Sequence, residues 1–417
     1  MRRTSARAWI VPSIYAVAAL ATGVTLPRLE HWVWFDAFSS ISSSSAIAIY
    51  STIASGTMTL SAIVFSLTFV MVQFGATAYS PRLALWLAEA PLTSHALGIF
   101  TATFLYSITA LAWVDRDDVH GVPLVAAVIV VLLLIASIAA FIALVKRVAV
   151  LQVSRLLAFI GDRGRSVIVT FCAGSRTEAR DEHISPAEPP TQVLRHGGRP
   201  RTVQAIDAES LFRLASAANA RIDVVAAVGD TLIEGTPLVC VSGTATRISE
   251  RHLRRTIHLG DQRTFEQDPQ FAIRLLVDIA IRALSPAIND PTTAVQALDQ
   301  IGDLLMRLGR GSLSGGALRD EEGTVRVVTP RPSWEDFVRL AFEEIAAYGA
   351  SSVQVMRRMN ALLSELAAAL PPERRTALAD WRRRLETSIG RHFADVDERR
   401  DAFVRDRQGL GLSRSGQ

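Results

Sequence analysis

DPQFAIRLLVDIAIRALSPAINDPTTAVQAL, Asp268 to Leu298, is the most tightly specified stretch of the chain. Asp268-Pro269 opens a helix. The Asp side chain caps orphan backbone N–H groups, and Pro is tolerated at the first helical position. Phe271, Leu275, Ile279 and Ala283 recur at helical spacing and form one apolar stripe. Arg274, Asp278 and Arg282 recur every four residues on another face, a spacing that lets one carboxylate sit between two guanidiniums. Ser285-Pro286 ends the helix, because the residue before Pro is pushed out of helical geometry. Asp290-Pro291 repeats the opening device, and Thr292–Leu308 reads as a second helix. Arg, Asp, Ser and Asn lie close together here, as in an active site. Residue by residue, however, they read as two capped helices joined by a Pro-bounded turn, a structural keystone and a candidate oligomer contact.

Outward from this stretch, composition points to a membrane protein with a soluble part. The chain has 417 residues, positive mean hydropathy and only 20% charged residues. Net charge is +4. Lys146 is the sole lysine among 44 basic residues, so a P-loop or a lipoyl or biotinyl carrier, each of which needs its own lysine, is excluded. Cys172 and Cys240 are too few for a zinc site, and each sits in an apolar, strand-like run that reads as a buried free thiol.

Four segments are long enough to span a bilayer, at about 20 residues each: residues 9–26, 46–74, 95–113 and 122–145. Arginines near the start, acidic Asp115–Asp118 and the Lys146-Arg147 pair predict cytoplasmic N- and C-termini. The alternative for residues 1–21 is a cleaved signal peptide ending at Ala19-Leu20-Ala21, which leaves the other orientations unchanged. On the second span Ser55, Thr59, Ala62, Ser66 and Gln73 share one face. Such a stripe reads either as a helix-packing seam or as the weakly polar lining of a pore. His95, at the edge of the third span, reads as an interfacial residue. No Asp, Glu, Lys or Arg lies within the spans, which counts against an active pump more than against a passive channel. Tyr79-Ser80-Pro81-Arg82 reads as an interfacial stop.

In the soluble part Val167–Cys172 reads as a strand, followed by a linker to Pro200. Between Arg201 and Val241 short strands at Thr202–Ile206, Asp223–Val228, Thr231–Ile233 and Pro237–Val241 accompany one helix, Ala208–Asn219. The string from Gly229 to Leu238 looks like the turn pattern of biotinyl/lipoyl-like β-sandwiches. Its physical content is two glycine-dependent turns around a short strand, with no lysine to carry a cofactor. Ser249–His258 reads as helical, and the spacing of His252, His258 and Asp261 does not favour a metal site. Gly309–Gly323 reads as an exposed loop. Further helices are expected at Trp334–Ala347, opened by a Ser333/Asp336 capping box, and at Ser351–Leu370 and Pro372–His392. Arginine runs at Arg382–Arg384 and Arg399-Arg400 are diluted by acidic neighbours and read as solvated faces, not nucleic-acid sites.

The motifs together resemble a bacterial family known only as predicted membrane proteins of unknown function. The likeness is carried by the SPRL exit at Ser80–Leu83 and by Asp268, Pro269, Phe271, Arg274, Asp278, the run Arg282–Pro291, Thr293 and Ala294, and again by Ala341–Met359. The resemblance implies a retained first helix and brings no reaction with it.

The expected fold is an α-helical membrane domain with four transmembrane helices (residues 1–150) plus a cytoplasmic α+β domain. The latter comprises a strand and linker (151–200), a small β-module (201–247), a helical bundle (248–405) and a disordered tail (406–417). The expected function is a passive channel or conducting oligomer with a cytoplasmic assembly or regulatory domain. The alternative is a non-conducting membrane sensor or scaffold that binds a partner or small ligand. An enzyme built on Arg274, Asp278, Asn289 and Asp290 is the weakest reading, since capping and ion pairing account for them and no nucleophile or general base stands out. No metal, cofactor or nucleic acid is expected. The expected partners are the lipid bilayer, further copies of the chain and a small ligand of unknown identity.

Overall fold

The structure, a computed structural model, describes residues 2–33, 38–39, 42–74, 91–114, 122–148, 153–174, 189–243, 247–313 and 315–411. It divides into two compact units, Met1–Gln152 and Val153–Gln417.

The first unit is helical. It contains α1 (Arg2–Val33), β1 (Phe38–Ser39), α2 (Ser43–Phe74), α3 (Pro91–Val114), β2 (Val122–Pro123) and α4 (Leu124–Val148). Among the described residues three helices are long and apolar enough to cross a membrane, over Ser43–Val70, Thr93–Val114 and Leu124–Lys146. The apolar stretch of α1, Ile10–Leu26, is shorter. Helix α3 is the centre of the unit and touches the other three. Tyr15 meets His95 and Gly98, while Gly23 meets Tyr106 and Thr109, so α1 and α3 run side by side in the same direction. The Thr103 hydroxyl on α3 lies 2.9 Å from that of Ser137 on α4. Strand β1, after α1, pairs antiparallel with β2, after α3, which brings those two connections to one end of the bundle.

The second unit begins with α5 (Val153–Gly174) and β3 (Gln192–Arg195). It continues through β4 (Arg201–Ile206), α6 (Ala208–Ala217), β5 (Arg221–Val224), β6 (Thr231–Leu232) and β7 (Pro237–Ser242). Then come α7 (Glu250–Arg255), β8 (Ile257–Gly260), α8 (Pro269–Ala283), α9 (Pro291–Arg310), β9 (Ala317–Arg319) and β10 (Val325–Val328). The chain closes with α10 (Trp334–Tyr348), α11 (Val353–Ala369), α12 (Pro372–His392) and α13 (Val396–Phe403).

Two sheets, ordered β3-β7-β5-β10-β9 and β6-β4-β8, share a core that includes Val203, Leu211, Ile222, Leu232, Val239 and Val327. All pairings are antiparallel except β10 with β5. Gly229 and Gly235 take φ of +94° and +85° at the two expected turns. Helices α8 and α9 form the centre of the bundle, touching each other, α5 and α10; α9 also meets α11. Ten of the fifteen α8 residues are buried, so the helix is enclosed on nearly every side.

Several expectations are corrected. Val167–Cys172 is the end of α5, not a strand. Its β-branched run belongs to a longer pattern: Leu156, Leu157, Ile160, Gly164, Val167 and Ile168 are buried at helical spacing against α8 and α9. Tertiary packing of that stripe overrides local β propensity. Gly164 permits the approach, since a Cβ there would lie 2.7 Å from Leu304 Cδ1 and 3.0 Å from Ala272 Cβ.

The β-module is not confined to residues 201–247. It draws β3 from the linker, β8 from the expected Ser249–His258 helix, and β9 and β10 from and beyond the expected Gly309–Gly323 loop. These strands have three or four residues, too few to show a period. Nor is the tail disordered from 406. Asp406 is buried and caps Gln408 N, and Arg407 pairs with Glu365 at 2.8 Å. This closing segment folds back onto α11, where Asn360 donates to Phe403 O and Arg357 to Asp401 O, both at 2.6 Å.

Candidate functional site

The start of α8 joins the bundle to the β-module. Asp268 is 2% exposed. Its Oδ1 accepts from Phe271 N at 3.0 Å, the expected cap. The same carboxylate takes a two-pronged contact from Arg263: Nε to Oδ2 at 2.7 Å and Nη2 to Oδ1 at 2.8 Å. Arg263 also lies over the Phe271 ring, and Phe265 packs against Phe271 with ring centroids 5.0 Å apart. Gly229 closes this pocket, for a Cβ there would come within 2.9 Å of both the Arg263 guanidinium and Asp268 Oδ2. One glycine thus meets two demands, a positive φ and a close approach.

On the other side of α8 the ladder is rearranged. Arg274 pairs with Asp278 at 2.6 Å and reaches Glu344 on α10 through two bonds of 2.6 and 2.9 Å. One guanidinium therefore sits between two carboxylates, rather than one carboxylate between two guanidiniums. The Glu344 hydrogen bonds raise the Arg274 pKa further, outweighing partial burial. Arg282 does not join the ladder, and its Nε is buried with no hydrogen-bond partner among the described residues.

Ser285–Asp290 is a tight turn. Asn289 N donates to Ser285 O and Asp290 N to Ala283 O, at 2.9 and 2.8 Å. Asn289 takes φ of +49°, a left-handed conformation that Asn tolerates. Asp290 caps Thr293 N at 3.1 Å and Pro291 occupies the first turn. Pro286–Asn289 stands exposed, so the turn is a knob and not a cleft. Asp278→Ala removes one of the two carboxylates that hold Arg274. We expect the thermal midpoint to fall, because Arg274 links α8 to α10 and loses one of its two anchors. An unchanged midpoint would show that the Arg274–Asp278 pair carries no stability.

A cavity of about 210 Å³ lies beside Asp268, lined among others by Val167 and Phe171 of α5, Ile206 and Val228 of the β-module, Gln270 and Arg331. Arg331 stacks over Phe171 at 4.3 Å and donates to Phe171 O at 3.0 Å. Gln267 ties down the end of β4 by accepting from Ile206 N and donating to Ile206 O. Sequence reading missed Arg263, Glu344 and Arg331. Each acts on a group distant in sequence or across an irregular segment, so no spacing rule exposes it.

The other sequence-derived residues are spread out. On α2, Ser55, Thr59, Ala62 and Ser66 are exposed and face away from the other helices of their own unit. The opposite face, with Ala46, Tyr50, Thr57 and Val64, makes the internal packing. Gly56 also borders open space. Gln73 lies on α2, and its side chain is outside the described residues, as are Tyr79, Ser80, Pro81 and Arg82. His252 is on α7 and His258 on β8, while Asp261 pairs with Arg199 and Arg201. No metal-ligand cluster occurs among the described residues. Neither Cys172 nor Cys240 is in a disulfide and both are half-buried, and burial pushes the Cys240 thiol up.

An apolar helical unit able to cross a bilayer, followed by a mixed α/β unit, defines a membrane protein with a folded extramembrane part. The chain belongs to the family described as predicted membrane protein (DUF2254), whose profile matches residues 5–365. Uncharacterized proteins of Mycobacterium bovis and Mycobacterium tuberculosis are each 31% identical over 360 residues, covering 83% of this chain and 69% of theirs. No solved structure matches.

Proposed function

We propose that the protein is a passive channel formed by an oligomer of four-span subunits in the bacterial inner membrane. Both termini lie in the cytoplasm, and the Val153–Gln417 unit serves assembly or regulation. The observation that carries this reading is the outward orientation of Ser55, Thr59, Ala62 and Ser66. A hydroxyl and small-residue face turned away from its own helices is suited to a second copy, or to a narrow water path between copies. Thr59 bonds back to Ser55 O at 3.0 Å, which keeps the face only weakly polar. The fourth span rests on α1, which runs alongside α3 in the same direction, and on the β1–β2 pairing, which groups the first and third connections at one end. Those two features fit an N-in, C-in path.

The second reading is a non-conducting sensor or scaffold, favoured by the cavity between α5 and the β-module. Purified protein in liposomes separates the two. A channel gives ion flux above protein-free background, and Thr59→Trp on the exposed stripe lowers it at least severalfold. Background flux from a verified oligomer removes the channel reading and leaves the sensor.

A further inference from the structure

The β-module carries a second, chemically different concavity. It measures about 480 Å³ and is lined by His196, Gly197, Gly198, Arg199, Arg201, Leu238, Arg254, Ile257 and Leu259. Its floor is apolar: Leu238 and Ile257 are buried. Its rim is the loop from His196 to Arg199. The base of that loop is fixed, with His196 N donating to Thr236 O at 2.8 Å, Gly235 N donating to His196 O at 2.9 Å and the buried His196 ring bonded to Arg199 O at 2.9 Å. Gly197 and Gly198 put no side chain over the mouth, and Gly198 takes φ of +98°. Backbone can therefore approach a ligand closely there.

Three guanidiniums converge on this space. Arg199 and Arg201 both lean on one oxygen of Asp261, at 3.1 and 3.4 Å. Arg254 donates to Arg195 O at 3.0 Å, and its carboxylate neighbour, Glu250, is 3.7 Å away and largely exposed. Two cations sharing one carboxylate leave positive charge unbalanced. Arg199 is 68% exposed, so its hold on Asp261 is weak and a better anion can draw it away. Guanidinium forks match the oxygens of phosphate and hold them through paired N–H donors. Among the described residues the lining contains no Phe, Tyr or Trp, and so none of the stacking platforms of a single-strand nucleic-acid groove.

We propose that the Arg199–Arg201–Arg254 groove binds a phosphate-bearing anion, either the headgroup of an anionic lipid or a soluble phosphate compound. This goes beyond the conduction reading and does not depend on it. Full-length protein in neutral detergent, at constant ionic strength, is titrated calorimetrically with pyrophosphate. In a second arm it is titrated with mixed micelles containing phosphatidylglycerol, against phosphatidylcholine as the neutral control. Saturable binding in the first arm alone assigns a soluble phosphate, in the second alone a lipid headgroup, and in both the shared phosphate. Arg199→Gln with Arg254→Gln weakens binding roughly tenfold or more, while Arg251→Gln on the same short helix leaves it unchanged. Asp261→Asn removes the competing carboxylate and tightens binding severalfold, a gain that a merely structural role does not produce. No saturable binding in either arm, an unchanged affinity in the double variant, or weaker binding in Asp261→Asn overturns the proposal.

Discussion

Asp268→Ala lowers the stability of the Val153–Gln417 unit by about 3 kcal/mol, near the lower edge of the range for breaking a buried ion pair. Two losses combine. Removing an Asp cap costs about 1 kcal/mol on its own. The remainder comes from Arg263, which keeps its place beneath Gly229 and against Phe271 but loses both bonds to the carboxylate. Its side chain is 26% exposed, so water reaches it in part and the loss stays below that of a fully enclosed charge. Asp268→Asn keeps a cap acceptor and the shape, and loses less. Thermal unfolding of the full chain in detergent reads the difference. A midpoint for Asp268→Ala within experimental error of the parent protein would show that the pair carries no stability.

Arg358→Ala is the second large effect. Arg358 on α11 is buried, yet it bonds Asp299 of α9 at 2.7 Å and Glu365 at 3.4 Å. Charge-assisted bonds of this kind contribute about 1.5–3 kcal/mol each when a partner is lost. Both carboxylates are partly solvated, so the expected total is about 2–3 kcal/mol rather than the sum.

The sign of the pH dependence follows from Asp299. Burial raises its pKa, and the Arg358 hydrogen bond opposes that rise without cancelling it. The folded chain therefore holds this proton more tightly than the unfolded chain, and stability from this group is gained as pH falls through the raised pKa. Without Arg358 the pKa rises further. The stability gap between variant and parent is thus widest near neutrality and narrows on acidification, which paired melts at two pH values would show.

Asp303 behaves oppositely. Burial acts to raise its pKa, but hydrogen bonds from Arg307 and Arg165 prevail and hold it below the ordinary carboxylate range. Its contribution is present above that range and is lost as pH falls through the depressed pKa.

What could be read from sequence follows the reach of each interaction. The Asp268 and Asp290 caps and the Ser333/Asp336 capping box are each set within four residues, the Pro-bounded turn within the six of Ser285–Asp290, and all of these devices occur as expected. The Gly229 and Gly235 turns were equally local. The ladder was half legible: Arg274–Asp278 is an i,i+4 pair, but the pull of Glu344 comes from 66 residues beyond Asp278 and outcompetes the second rung. Val167–Cys172 looks like a strand in isolation, whereas the burial pattern of α5 needs the whole 22-residue helix to show its period. Strands of three and four residues carry no usable pattern, so β3, β8, β9 and β10 emerge only from their partners. For the stripe on α2, spacing identified the shared face but held no information on which way that face turns.

The parallel pairing of β10 with β5 has a consequence for how the chain reaches this state. Val327 sits beside Ile222, so more than a hundred residues, including both α8 and α9, must be in place before the five-stranded sheet can close. Contacts so distant along the chain carry a loop-closure cost and form slowly. A ribosome-bound chain ending before residue 325 leaves β5 with an open edge, a surface prone to wrong pairing until the last strands arrive. The helical pair at Asp268–Leu298 is local and capped at both starts, which makes it the natural first core, with the sheet as the late clasp around it.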